Sequence, residues 1–485
     1  MAKIPTRFTS TSGCPRYERR MQIAMHVPGP AAAFVAVMMS SCSFTPTPRP
    51  DLTSLPVSWK NNAGFPIAPP DGDLSRWWRQ FHDPVLTQLI ADGLANSPDT
   101  ASAAAKVREA RARRDEYAVS LSPSLGYSAG SNSQVSKTEG SARSSGTSYS
   151  AGLDTSWEVD LFGRNRSTLE AATADLGAAE ESRNSVRAAL AAEIAAAYTG
   201  LRADEERLAV LKRTISSREE TAKIAGWRRD AGEADSLEAD QASSSLESAR
   251  AGVPALQQSI GQARNLLARL CGRAPGELDG MLSNGGSIPN PASKLAVGIP
   301  ADTIRQRPDV RLAGYQLLAA GARTRAAEAD RYPSLSLSGT LGVNTLSGSK
   351  LFSPETAAAS VISGLSGPIF DAGRIRANIV AQDAATEQAV QTYRSAVLTG
   401  LSEVEDALIA CRRTGERINS LETAATAARG AAELARQRYE AGVTDLLTVL
   451  DAERTSLGLE DSLLSARADR ANSHVELYKA LGGGW

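Results

Sequence analysis

The chain has 485 residues and a formal net charge of -1, from 53 basic and 54 acidic residues, so its charge marks no nucleic-acid or polyanionic partner. Aromatic residues make up only 5%, and long tracts of Ala, Ser, Arg, Glu and Leu favour helices packed through small side chains over a wide globular core. The three histidines (His26, His82, His474) and four cysteines (Cys14, Cys42, Cys271, Cys411) lack metal-ligand or CxxC spacing, no nucleophile or phosphate-loop motif occurs, and no apolar run reaches roughly 18 residues, so enzyme, cofactor, metal site and spanning helix are not expected.

The chain opens with an address. Arg16, Arg19 and Arg20 precede a short apolar run from Ala31 to Met39, followed by Ser40-Ser41-Cys42. Charge, apolar stretch and small residues in that order predict a signal peptide over 1–41. The cysteine after the small pair resembles a lipoprotein signal, with Cys42 as the acylated first residue and Ser43, rather than Asp, directing it to the outer membrane. Residues 45–70 are Pro-rich and extended, so 42–97 is expected to begin as a lipidated tether ahead of the first folded unit.

Sliding the chain against itself uncovers a repeat. Pro98-Asp99 matches Pro308-Asp309, Pro123-Ser124-Leu125 matches Pro333-Ser334-Leu335, and Gly163-Arg164 matches Gly373-Arg374. Glu193 and Glu403, Ala231-Gly232 and Ala441-Gly442, and Gly272 and Gly482 keep the same offset of 210. Two copies of one unit are expected, over 98–272 and 308–482, joined by a Gly/Pro-rich linker over 273–307 and followed by the tail 483–485. Solenoid units run only about 20–50 residues, so a pseudo-two-fold architecture fits better.

Each unit switches periodicity in the same order. Leu169, Ala172, Leu176, Ala179, Arg183, Val186 and Leu190 recur in helical steps, as do Val390, Val397, Leu401, Val404, Leu408 and Cys411. Free of proline from Arg374 to Arg438, the second long helix is expected to extend about 95 Å at about 1.5 Å per residue. Period two governs Tyr149 to Leu161, where odd positions are apolar and even ones polar or Gly. Leu125, Tyr127 and Ala129, then Leu335, Leu337, Leu341 and Val343, and more weakly Val361, Leu365 and Ile369 within 359–369, predict three further strands. Two hairpins follow, with tips around 130–146 and 348–354. Strands of about 9–11 residues suit a membrane barrel. Four strands enclose no lumen and an open edge in lipid is prohibitively costly, so oligomerisation is expected, and a trimer would supply about twelve strands.

Specific motifs carry a family resemblance. Ser156-Trp157-Glu158-Val159-Asp160-Leu161-Phe162-Gly163-Arg164 resembles the strand-to-helix signature of the TolC-like (NodT-type) outer-membrane efflux lipoproteins. Arg305 to Arg311, Tyr332 to Leu335, Pro368 to Arg374, and Trp77-Trp78-Arg79-Gln80-Phe81 with Asp83-Pro84 are similar to the same family. The resemblance implies a mainly α fold with a membrane β-barrel portion: a homotrimer with a twelve-stranded barrel, a long periplasmic α-helical barrel, and an equatorial collar from the segment 42–97, the linker 273–307 and the chain end. It also implies a passive drug-efflux tunnel in the outer membrane lipid that joins a periplasmic membrane-fusion adaptor to an inner-membrane RND-type pump. Type I protein secretion and metal-ion efflux use similar channels, and a soluble helical scaffold is the alternative from another class. Gly314 departs from the acidic residue usual after Arg-Pro-Asp, and Pro254, opposite Leu464 in the repeat, predicts a kink or break.

A wide channel must close at rest. Gly232 and Gly442 mark the two helix tips and are candidate adaptor contacts. After the second tip, Leu447, Asp451 and Arg454 share one helical face. The resemblance implies a periplasmic gate there: an apolar plug, an acidic ring, and an arginine free to pair with a neighbouring copy. Their repeat counterparts Leu237, Gln241 and Ser244 lack the charges, so one hairpin is expected to gate and the other to support.

Overall fold

The computed structural model describes residues 56–61, 74–137, 139–140, 142–283, 285–291, 300–351 and 353–484. The signal segment 1–41, Cys42 and Trp485 lie outside the described residues. A short 3-10 segment, Leu74–Phe81, leads into α1 (Pro84–Asn96), α2 (Pro98–Val119), β1 (Ser124–Ser136), β2 (Ser144–Val159), α3 (Arg164–Asp230) and α4 (Ser236–Leu270). Then come α5 (Asp279–Leu282), α6 (Pro300–Gln306), α7 (Pro308–Ala329), β3 (Ser334–Thr345), β4 (Ala357–Ser366), α8 (Arg374–Glu440) and α9 (Leu446–Ala480). The starts of α2, β1, α3 and α4 (Pro98, Ser124, Arg164, Ser236) each precede those of α7, β3, α8 and α9 (Pro308, Ser334, Arg374, Leu446) by 210 residues.

The two long helices have 67 residues each, about 100 Å at about 1.5 Å per residue. Each begins where a strand ends, and the acidic residue of the signature explains how. Asp160 accepts from the amides of Asn165 (3.2 Å) and Arg166 (2.9 Å), and Asp371 from those of Gly373 (3.0 Å) and Ile375 (2.7 Å). These carboxylates satisfy amides that a helix start leaves unpaired and sit at the positive end of its dipole.

On α8 the expected seam is buried at Val397, Val404, Leu408 and Cys411. On α3 the expected seam is buried at Ala172 and Leu190 and departs elsewhere. Arg183 is exposed, Leu169, Leu176, Ala179 and Val186 are half-buried, and Ala171, Ala174, Ala178, Ala188, Ala191 and Ala195 fill out the buried stripe. Helix α3 packs against α2 and α7 along one half and α4 and α9 along the other, and alanine permits that close approach. Pro254 does not break α4, which runs unbroken from Ser236 to Leu270. The proline removes one amide donor, while Leu246, Ala249 and Ile260, buried on either side, hold the helix in place.

The main core lies near the midpoint of the long helices, where Ile194, Tyr198, Leu201, Val404 and Leu408 meet Trp59, Trp77, Phe81, Leu89, Leu267 and Tyr478. Trp77 stacks on Tyr478 with ring centroids 5.3 Å apart. Arg307, almost fully buried, ties this belt together by binding Asp309, Glu403 (2.5 Å) and the carbonyl of Ala480 (2.8 Å).

The strands form one antiparallel sheet in the order β1-β2-β3-β4. Its register aligns the period-two pattern across all four: Tyr127, Leu153, Leu341 and Ala359 form one row, and Val159, Leu335 and Leu365 another. The opposite face carries Ser124-Ser156-Ser338, where the row ends on the apolar Ile362 of β4, and Gly126-Asp154-Thr340-Ser360. Strands β1 and β2, at 13 and 16 residues, outrun the expected ten and shrink the first tip to 137–143. Their Ser, Gly and Asn residues have weak strand propensity but are held by the ladder and by hydroxyl pairs such as Ser133–Thr147 at 3.0 Å. Strand β4 ends at Ser366, three residues before the expected limit, ahead of Pro368. Among the described residues no helix is long and apolar enough to cross a membrane.

Candidate functional site

At the end remote from the sheet, α3 turns into α4 and α8 into α9 through matching loops. Gly232 (φ 77°) and Gly442 (φ 71°) take the left-handed conformation that closes each helix, with their amides bonding Arg229 O and Tyr439 O at 2.9 Å. Space around both is open, so a partner could approach the backbone. Asp235 and Asp445 cap the returning helices through the amides of Glu238 (3.0 Å) and Thr448 (2.8 Å). Thr448 also donates its hydroxyl, and these bonds hold the Asp445 carboxyl below the usual carboxylate range.

The turn of α9 that follows is two-sided. Leu446 and Val449 are buried with Ala225, Ala242, Ala435 and Tyr439, which fastens the two hairpins together. Leu447, Asp451 and Arg454 point away, Leu447 being 58% exposed. The structure thus places the three residues on one exposed face. In the single chain, however, Arg454 is not free for a neighbour, because it reaches back along the helix and pairs with Asp451. The counterpart Leu237 is also exposed, next to the half-buried Gln241.

Between the hairpins runs a line of polar bonds that sequence reasoning missed. Tyr439, fully buried, donates to Glu238 at 2.5 Å, while the Arg228 guanidinium contacts Glu238 at 3.4 Å and lies 5.1 Å from the Tyr439 ring centre. Burial, then the bond to Glu238, pushes the Tyr439 phenol up to about 12. Farther along, Arg436 binds Glu220 at 2.8 Å, Arg218 binds Glu453 at 3.3 Å with Ser217 on its other oxygen at 2.9 Å, and Arg207 binds Asp461 at 2.8 Å. Arg218 and Glu453 are both buried. These partners stand more than 200 residues apart in the chain, and only the lone tyrosine among small tip residues hinted at them. Among the described residues no cluster of three or more His, Cys, Asp or Glu could hold a metal ion.

The sequence profile of outer membrane efflux proteins matches residues 89–273 and again 299–483. The chain belongs to the outer membrane efflux protein family. The toluene efflux pump outer membrane protein TtgF of Pseudomonas putida is 31% identical, over 93% of this chain and 96% of its own length. The outer-membrane channel OprN has the same fold, with a TM-score of 0.84, 34% identity, and 91% of this chain and all of that one covered. The open-state MtrE outer membrane channel of Neisseria gonorrhoeae matches with a TM-score of 0.81 and 30% identity over 91% of this chain and 98% of its own. The chain is therefore an outer-membrane channel of a tripartite efflux system, a passive conduit with no catalytic role.

Proposed function

We propose that three copies assemble into one tunnel: twelve strands in the outer membrane and a helical barrel below, anchored by an acylated Cys42. The observation that carries this reading is the sheet, apolar on one face, polar on the other, and with the edges of β1 and β4 unpaired. A second and a third copy pair those edges and remove the cost of open backbone in lipid. Cargo is of the class named for the relatives, small organic molecules such as toluene. An inner-membrane RND-type pump delivers it through a periplasmic membrane-fusion adaptor.

Within that assembly Leu447 and Asp451 line the periplasmic constriction, with Arg454 held against Asp451 at rest, and the loops at Gly232 and Gly442 receive the adaptor. Opening swings the α8–α9 hairpin away from α3–α4, so the Tyr439–Glu238 and Arg218–Glu453 bonds are what a bound adaptor must outweigh. Photo-crosslinkers placed at positions 232 and 442 in cells should capture a periplasmic adaptor, and inter-chain crosslinks should give a trimer. Recovery of the mature chain as an unassembled soluble protein would refute the reading.

A further inference from the structure

The four strands contain two charged residues, Asp154 and Glu158, both on β2 and both on the polar face. Glu158 is engaged at the base of the sheet, with Arg164 at 3.3 Å and Asn165 at 3.4 Å. Asp154 is not: among the described residues no group donates to its side chain, and no strand contains Lys, Arg or His. Across the ladder it faces Gly126 and Thr340, and the Thr340 hydroxyl is taken up with that of Ser360 at 2.8 Å. Its surroundings are set within one chain, because β2 lies between β1 and β3 and a second copy can pair only with β1 or β4.

An ionised carboxylate turned toward hydrocarbon is strongly disfavoured, so the face bearing Asp154 borders water. Nearby cations are too distant to neutralise it. Ser144, where β2 starts, is ten residues away, about 33 Å along a strand, so Arg143 and Lys137 at the first tip lie several Debye lengths off. Lys350 at the second tip, beside Gly348 at the level of Tyr149, is five residues or about 17 Å along the strand, about two Debye lengths. Toward the helices, Arg164 is already occupied by Glu158.

We propose that Asp154 is the charge filter of the barrel: one carboxylate per copy at a single depth forms an acidic ring that admits cationic and neutral solutes over anions at the tunnel exit. This rests on the trimeric reading above. The ring is separate from the tip residue Asp451 and acts on cargo that has already passed the gate.

The test is the reversal potential of purified protein in planar bilayers under a KCl gradient. Asp154→Asn should lower the potassium-to-chloride permeability ratio by about twofold or more, and Asp154→Lys further, since ringed charges set potentials of several kT. Asp451→Asn serves as the comparison. Wild-type conductance steps with a reversal potential unmoved by Asp154→Asn would overturn the filter and leave the channel intact. Absence of any conductance both from the wild-type protein, which rests closed, and from the clasp-released Tyr439→Phe variant would instead remove the trimeric pore, and the filter with it. Independently of either charge variant, Asp154→Cys should react with a cationic methanethiosulfonate added to the aqueous side and change the current. A thiol that stays unreactive in a conducting channel would place residue 154 away from water and overturn the proposal.

Discussion

Tyr439 at the end of one long helix donates its phenol hydrogen to Glu238 of the other hairpin, a bond between residues 201 apart in the chain. Buried and charge-assisted, it fastens the tips at the point where the exposed face of Leu447, Asp451 and Arg454 begins. Under the proposed opening, which parts the two hairpins, removing it isolates what this bond contributes to keeping them together. Tyr439→Phe keeps the ring and loses a hydrogen bond to a charged group, about 1.5–3 kcal/mol, so open-state occupancy should rise roughly 10- to 100-fold. Conductance in planar bilayers and entry of a large antibiotic into cells both report this, and unchanged values would show that the clasp does not restrain opening.

The same bond has a pH signature. The folded phenol is pushed up to about 12 from an ordinary 10.0, so the clasp is fully present below pH 10 and is lost as pH rises toward 12. Absorbance at 295 nm should show a component titrating near 12, which Tyr439 shares with the buried Tyr198, and Tyr439→Phe should shrink it by one tyrosine. A wild-type-minus-variant difference centred on 10 would contradict the placement.

Glu453 and Arg218 form a buried pair between the hairpins. Glu453→Ala leaves a buried guanidinium unpaired, at a cost of about 3–5 kcal/mol. Hydrogen exchange should quicken at 210–225 and 445–460 while the equatorial core stays protected. Arg218→Met with Glu453→Leu should recover much of the loss.

Gly342 lies directly opposite Gly152, and a Cβ there would meet the Ala151 carbonyl oxygen at 2.7 Å. No rotamer relieves contact with backbone, so Gly342→Ala should force β2 and β3 apart and reduce heat-stable trimers on a semi-native gel. Gly146→Ala, with open space around it, is the control and should assemble normally.

Cys42→Ser should abolish incorporation of labelled palmitate and leave tunnel conductance in purified protein unchanged, since the anchor and the barrel are separate attachments to the membrane. Label retained in the variant would move acylation elsewhere.

Much of this molecule was legible in one dimension. Alternation at Tyr149 to Leu161 and Leu335 to Val343 marks two-faced strands because side chains on a strand alternate by geometry alone. The offset of 210 and the proline-free run from Arg374 fix the order and length of the helices, since helical rise is constant. What needed three dimensions is whatever depends on where two distant surfaces meet. On α3 alanines such as Ala174 and Ala178 are buried while Leu169 and Leu176 stay half-buried, because two pairs of neighbours decide which face is covered. Pro254 stays helical because packing outweighs one lost hydrogen bond. Tyr439 finds Glu238, and Arg218 finds Glu453, only once two hairpins lie side by side. Local spacing determines an element and its faces; the partner of a polar side chain is set by long-range packing, which no local period encodes.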